Sequence, residues 1–174
     1  MQTSTTALSV AETSPLSQAP ARQTVTGIGA GTLVMTADGA LPVEFLNPGD
    51  RVVTRSGMRV LRRIHMHRYS GRAIRVSRGA LGHDRPDRDL TLPESTQILL
   101  RDWRAETLFG TGQALVPISR IADGEFIANG RVRGMHVYEL QFDTPQVVYA
   151  EGVELAAGAV KSAPAPIVAL SSQA

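Results

Sequence analysis

The sequence predicts an all-β domain, and three observations predict it. Short apolar stretches alternate in period two rather than recurring every three or four residues. Gly, Pro, Asn and Asp separate them at close intervals, as in Asp38-Gly39, Asn47-Pro48-Gly49-Asp50, Asp123-Gly124 and Asp143-Thr144-Pro145. Only one window, Arg104 to Phe109, carries a helical pattern. At 174 residues the chain amounts to one domain with tails. It is long enough to bury a core without a disulfide or metal.

The elements follow in order. Met1 to Gln23 is rich in Ser, Thr, Ala, Gln and Pro and reads as a disordered tail, with the domain spanning residues 24–157. Thr32 to Thr36 is apolar and β-branched, a strand. Asp38-Gly39 supplies the positive φ of a hairpin turn. In Asn47-Pro48-Gly49-Asp50, Pro sets φ at the first central position and Gly takes positive φ at the next. Asp50 is placed to bond nearby backbone N–H groups. Arg51 to Thr54, Val60 to His65 and Arg72 to Ser77 are the next expected strands. Asp89 to Leu92 and Gln97 to Leu100 read as strands around the loop Pro93-Glu94-Ser95-Thr96. In the short helix, Ala105, Leu108 and Phe109 share one side and Gly110 stops it, with Trp103 as a packing anchor beside it. Leu115 to Ile121 is a strand or turn. Glu125 to Ala128, Met135 to Asp143, Gln146 to Ala150 and Val153 to Leu155 complete the set. Residues 158–174 read as a second, flexible tail.

Composition narrows the chemistry. The chain has no Cys, which excludes disulfides, thiolate metal sites and a cysteine nucleophile. No stretch reaches the ~18 apolar residues of a membrane helix. The start lacks the basic and apolar blocks of a secretory signal, so a cytoplasmic location is the default expectation. Between Arg51 and Arg88 lie eleven Arg against Asp84 and Asp87. Such a concentration fits weak polyanion or nucleic-acid binding through Arg51, Arg55, Arg59, Arg62, Arg63, Arg72 and Arg75. The simpler reading is a solvated strand face, partly paired with acids from the other half of the chain. Only Tyr69 is available there to stack a base.

The residues that carry a family resemblance come in blocks. Gly31-Thr32, Pro42-Val43-Glu44 and Pro48-Gly49-Asp50-Arg51-Val52 open the series. Arg78-Gly79-Ala80-Leu81-Gly82 and Arg88-Asp89-Leu90-Thr91-Leu92-Pro93 follow. Ala105 to Gly110, Ala114 to Pro117, Tyr138 to Asp143 and Val147 to Gly152 close it. In this order they resemble the Hint domain, the Hedgehog/intein autoprocessing module, and in particular bacterial Hint-like proteins. The resemblance implies a compact disc- or horseshoe-shaped β fold. It also implies a site where a Cys or hydroxyl residue attacks the preceding carbonyl while a His assists by proton transfer. Here Gly27 stands at the nucleophile position, four residues before Gly31-Thr32. Ser95 or Thr96 stands where the His belongs, and Glu151-Gly152 occupies a turn similar to the one that would carry a terminal Asn. The resemblance therefore supports the fold and argues against the activity.

The expected function is a structural or binding module without autoprocessing, with no cofactor and an unidentified protein partner. The first alternative is a self-cleaving domain using a displaced hydroxyl, from Thr24 or Thr26, with Thr96 the other weak candidate. The polyanion binder is the second. His65 and His67 face one side of a strand as a metal pair would, but Arg62, Arg63 and Arg68 crowd them, so no metal site is expected. His83 reads as a loop surface residue, and His136 as a partner for Glu139 or Asp143.

Overall fold

The computed structural model describes residues 24–160. The two expected tails lie outside the described residues, except that the last strand runs to Ala159 rather than ending before 158. Twelve strands, one α-helix and two single-turn 3-10 helices make up the described part.

The opening strands are β1 (Ile28–Gly29), β2 (Leu33–Thr36), β3 (Gly39–Pro42), β4 (Arg51–Thr54) and β5 (Gly57–Val60). Next come β6 (Arg63–Val76), β7 (Leu90–Pro93) and β8 (Gln97–Leu100), then α1 (Trp103–Phe109). β9 (Ala114–Pro117), β10 (Ile127–Phe142), β11 (Gln146–Ala150) and β12 (Val153–Ala159) complete the order. The main path runs β3-β2-β4-β11-β12-β10-β6-β7, with β1 on β10, β5 on β4, and β8 between β12 and β9.

Expected turns and strands appear where chemistry requires them. β2 and β3 form a hairpin through Ala37-Asp38, with Gly39 at φ +102°. The Asp50 carboxylate accepts the Asn47 N–H at 2.7 Å and fixes the Pro48-Gly49 turn. The Asp102 carboxylate caps α1 by accepting the Arg104 N–H at 3.0 Å, and Gly110 closes it in the left-handed region.

Several expectations are corrected. Val60 to His65 is not one strand: Leu61 turns fully into the core, so the chain breaks between β5 and β6. Arg72 to Ser77 is the end of the longer β6, and the segments at 125–128 and 135–143 are one strand, β10. An irregularity between Val132 and Met135 absorbs the Gly134 interruption that made them look separate. Trp103 is not a packing anchor. It is 66% exposed, with the Arg104 guanidinium 5.2 Å from its ring centroid. Leu108 also faces outward, so α1 packs through the buried Ala105 and the half-buried Phe109. A seven-residue helix is too short for three spaced apolar residues to define one buried face.

The core joins the strands around Val34, Val52, Leu61, Ile74, Leu92, Ile98, Phe142, Val148 and Leu155. Each fully buried residue of this size contributes about 1.5–3 kcal/mol of transfer free energy. The β7–β8 loop therefore leaves and re-enters the core through Leu92 and Ile98. That anchoring holds residues 94–96 against the start of β1.

Candidate functional site

The start of the domain and the β7–β8 loop meet at one point. Gly27 is buried just before β1, and Thr96 is 1% exposed at the end of the loop. The Thr96 hydroxyl accepts the Gly27 N–H at 3.2 Å and donates to the Gly27 carbonyl at 3.0 Å. One side chain thus satisfies both backbone groups of the residue at the position the resemblance assigns to the nucleophile. Of the two residues considered for the His position, Thr96 makes this contact. Ser95 makes no side-chain hydrogen bond among those of the described residues, while its neighbour Glu94 points toward Arg72 at 3.9 Å.

The backbone at Gly27 has a form that suits only glycine. Its φ is +142°, in the region L side chains rarely enter. A Cβ placed there would lie 2.7 Å from the Tyr138 carbonyl oxygen and 2.7 Å from Val137 Cγ1. Both obstacles belong to β10, which pairs with β1 through Ile28–Tyr138 and Gly29–Val137. Gly29 is similarly tight: a Cβ would meet Met135 Cε at 2.5 Å and the Thr91 carbonyl at 3.0 Å. The close approach of β1 to β10 therefore rests on Gly27, whereas at Gly29 the atom in the way from β10 is the flexible end of Met135 and the backbone obstacle belongs to β7.

Thr26, immediately upstream, lines a cleft of about 500 Å³. Arg55, Gln97, Leu115, Gln146 and the small residues Ala156 to Gly158 complete its wall. Gln146 is buried and accepts from the Thr54 hydroxyl at 3.1 Å while donating to Thr144 Oγ1 at 2.8 Å. No His side chain lines this cleft. A hydroxyl near Gly27 titrates far above neutral pH, so Thr96 and Thr26 hold and shape backbone more readily than they move protons.

Two buried carboxylates are functional anchors of the fold that the residue patterns did not reveal. Glu151, at φ +49°, accepts the Leu33 N–H at 2.9 Å and an Arg88 N–H at 2.7 Å, while its own N–H donates to the Leu33 carbonyl. The hydrogen bond to Glu151 raises the Arg88 pKa further above its ordinary range. Glu154 takes Arg55 at 3.3 Å and Arg101 at 2.6 Å, so it holds the arginine at the cleft's rim. Glu151 was legible only as a turn residue. Its Glu-Gly sequence gives no hint of burial.

Part of the arginine-rich stretch is committed within the protein. Of the seven arginines expected to meet a polyanion, Arg55 pairs with Glu154, Arg62 with Asp143, Arg72 with Glu94 and Arg75 with Asp89. Arg51, Arg59 and Arg63 make no ion pair among the described residues. The Arg62 hydrogen bonds hold Asp143 below the usual carboxylate range. Asp89 is lowered first by the Arg78 backbone N–H and then by Arg75. His67 lies 3.5 Å from Glu139, so the partner expected for His136 is taken by another histidine. No group of three potential metal ligands occurs among the described residues. None of their helices is long and apolar enough to cross a membrane.

A model of the Hint domain matches residues 27–157. The chain belongs to the Hint domain family. Among solved structures it is similar to the bacterial intein-like domain from Clostridium thermocellum, with a TM-score of 0.57 and 13% identity. That match covers 77% of this chain and 99% of the other. The N145AA variant of the MchDnaB-1 intein is similar at a TM-score of 0.50 and 11% identity, covering 78% of this chain and all of the other. At these identities the likeness shows the fold. No curated protein matches the sequence. The matched span begins at Gly27, the residue whose backbone Thr96 holds.

Proposed function

We propose that this Hint domain does not process itself and serves as a structural or binding module. The observation that carries the reading is the contact between Thr96 and Gly27. A single hydroxyl occupies both polar groups of the Gly27 backbone, and the space a side chain would need is filled by β10. An amide-to-ester shift needs a nucleophile attached at this position and a group to move its proton. Gly27 brings no nucleophile and Thr96 no usable base. The architecture around them is then left as a scaffold that presents the cleft at Thr26.

The test is the intact mass of the purified chain after days at neutral pH, with and without a small thiol or hydroxylamine. The expected result is one unchanged species. A product beginning at Thr26 and abolished by Thr26→Ala, or one beginning at Thr24 and abolished by Thr24→Ala, would replace the reading with a displaced-hydroxyl enzyme.

A further inference from the structure

The ribbon formed by β6 and β10 is unevenly covered. β10 runs along one side of β6 from Arg63 to Val76, but β7 pairs on the other side only with Ala73–Val76. From Arg63 to Gly71 the outer edge of β6 has no strand beside it among the described residues. Such an edge presents a row of backbone donors and acceptors ready to receive another strand.

The charge on this ribbon selects what can approach. Arg63, Arg68, Arg131 and Arg133 make no ion pair among the described residues. Arg131 lies directly across from Arg72, which reaches Glu94 only at 3.9 Å. Arg68 is set against Gly134 of β10, where a Cβ would come within 3.0 Å of its Nε, so its guanidinium lies over the ribbon. Met66 is exposed on the same stretch, and Tyr69 is half-buried. A second copy of this chain would bring arginines of both edges onto one ribbon, and like charges on adjacent strands repel. An acidic strand would find cations at both ends of the open segment.

We propose that the open edge of β6, Arg63 to Gly71, is the docking site for an extended acidic peptide that adds to the sheet as a further strand. Main-chain hydrogen bonds supply affinity, and carboxylates on the face shared with Arg68 supply selectivity, with Arg131 of β10 adding positive charge behind it on the same face. This deepens the binding-module reading by naming a partner chemistry. It stands on residues remote in sequence from Gly27, so the mass experiment and the binding experiment can fail separately.

The probe is a fluorescent nine-residue peptide of alternating Val and Glu, followed by anisotropy, with backbone hydrogen exchange of the full chain as a second readout. Binding with new protection at residues 63–71 is expected. N-methylation of alternate peptide amides should weaken it at least about tenfold, as should Arg68→Glu combined with Arg131→Glu. The native fold of that variant is checked by its far-ultraviolet dichroism, and the N-methylated peptide keeps the test sharp if the fold is lost. A Val/Lys peptide should not bind. The proposal is overturned if no binding is seen up to about 1 mM. It is also overturned if the N-methylated peptide or a single-stranded DNA of equal charge binds as well as the Val/Glu peptide, which would show a charge patch alone. Protection of residues 63–71 by self-association of the free chain would overturn it in favour of a second copy.

Discussion

At the residue scale, the Gly27–Thr96 contact makes clear predictions. Thr96→Val keeps the shape but removes a donor and an acceptor from a buried site. It should cost about 1–3 kcal/mol of stability, read by denaturant unfolding, while Thr96→Ser should recover most of it. Gly27→Ala puts a Cβ 2.7 Å from the Tyr138 carbonyl at a positive φ and should cost about 1–3 kcal/mol. The absence of Cys and of a His in the β7–β8 loop was legible in the sequence. The contact itself was not, because Gly27 and Thr96 are 69 residues apart and nothing local joins them. Trp103 misled for a related reason. An aromatic residue beside a helix signals packing only if the helix turns that side inward, and a first-turn position on so short a helix is set by the cap at Asp102.

At the element scale, the turns were readable and the long strands were not. Pro48-Gly49 and the Asp123 carboxylate carry their own chemistry, so their place could be seen. β6 and β10 are each one strand where local patterning marked two shorter segments. Pairing along the ribbon overrides that local preference, and the Ser70 hydroxyl accepting the Gly134 N–H at 2.8 Å ties the interruption together. The buried acids set the junctions between elements. Glu154→Ala should cost about 1–3 kcal/mol, less than the 3–5 kcal/mol of a fully buried pair, because Arg55 and Arg101 keep contact with water. Acid should loosen the segments held by three surface aspartates. Asp123 is lowered by the Ile127 and Glu125 backbone N–H groups, and Asp89 and Asp143 by the contacts described above. Each folded pKa lies below its unfolded value, so the stabilisation is full above about pH 5 and is lost as pH falls through about 4 and below. A thermal-unfolding series should therefore show a falling midpoint across that acidic range, with a smaller fall in Asp123→Asn.

At the scale of the whole molecule, the family was legible because its blocks appear in order along the chain, and the fold confirms it through twelve strands. Function was less legible because the decisive facts are about space. A sequence shows that position 27 carries no side chain; it does not show what lies in the space a side chain would need there. The central claim is that β1 and β10 have closed on Gly27 so that chemistry is not restored by returning the missing groups. The measurement that tests this most directly is the intact mass of Gly27→Cys combined with Thr96→His, incubated with a small thiol after dichroism has confirmed a native β fold. The account predicts a single uncleaved species, because the new Cβ must displace β10 before sulfur can reach the Thr26 carbonyl. A thiolysis product whose chain begins at position 27 would contradict it, showing an intact processing geometry that lacks only its side chains.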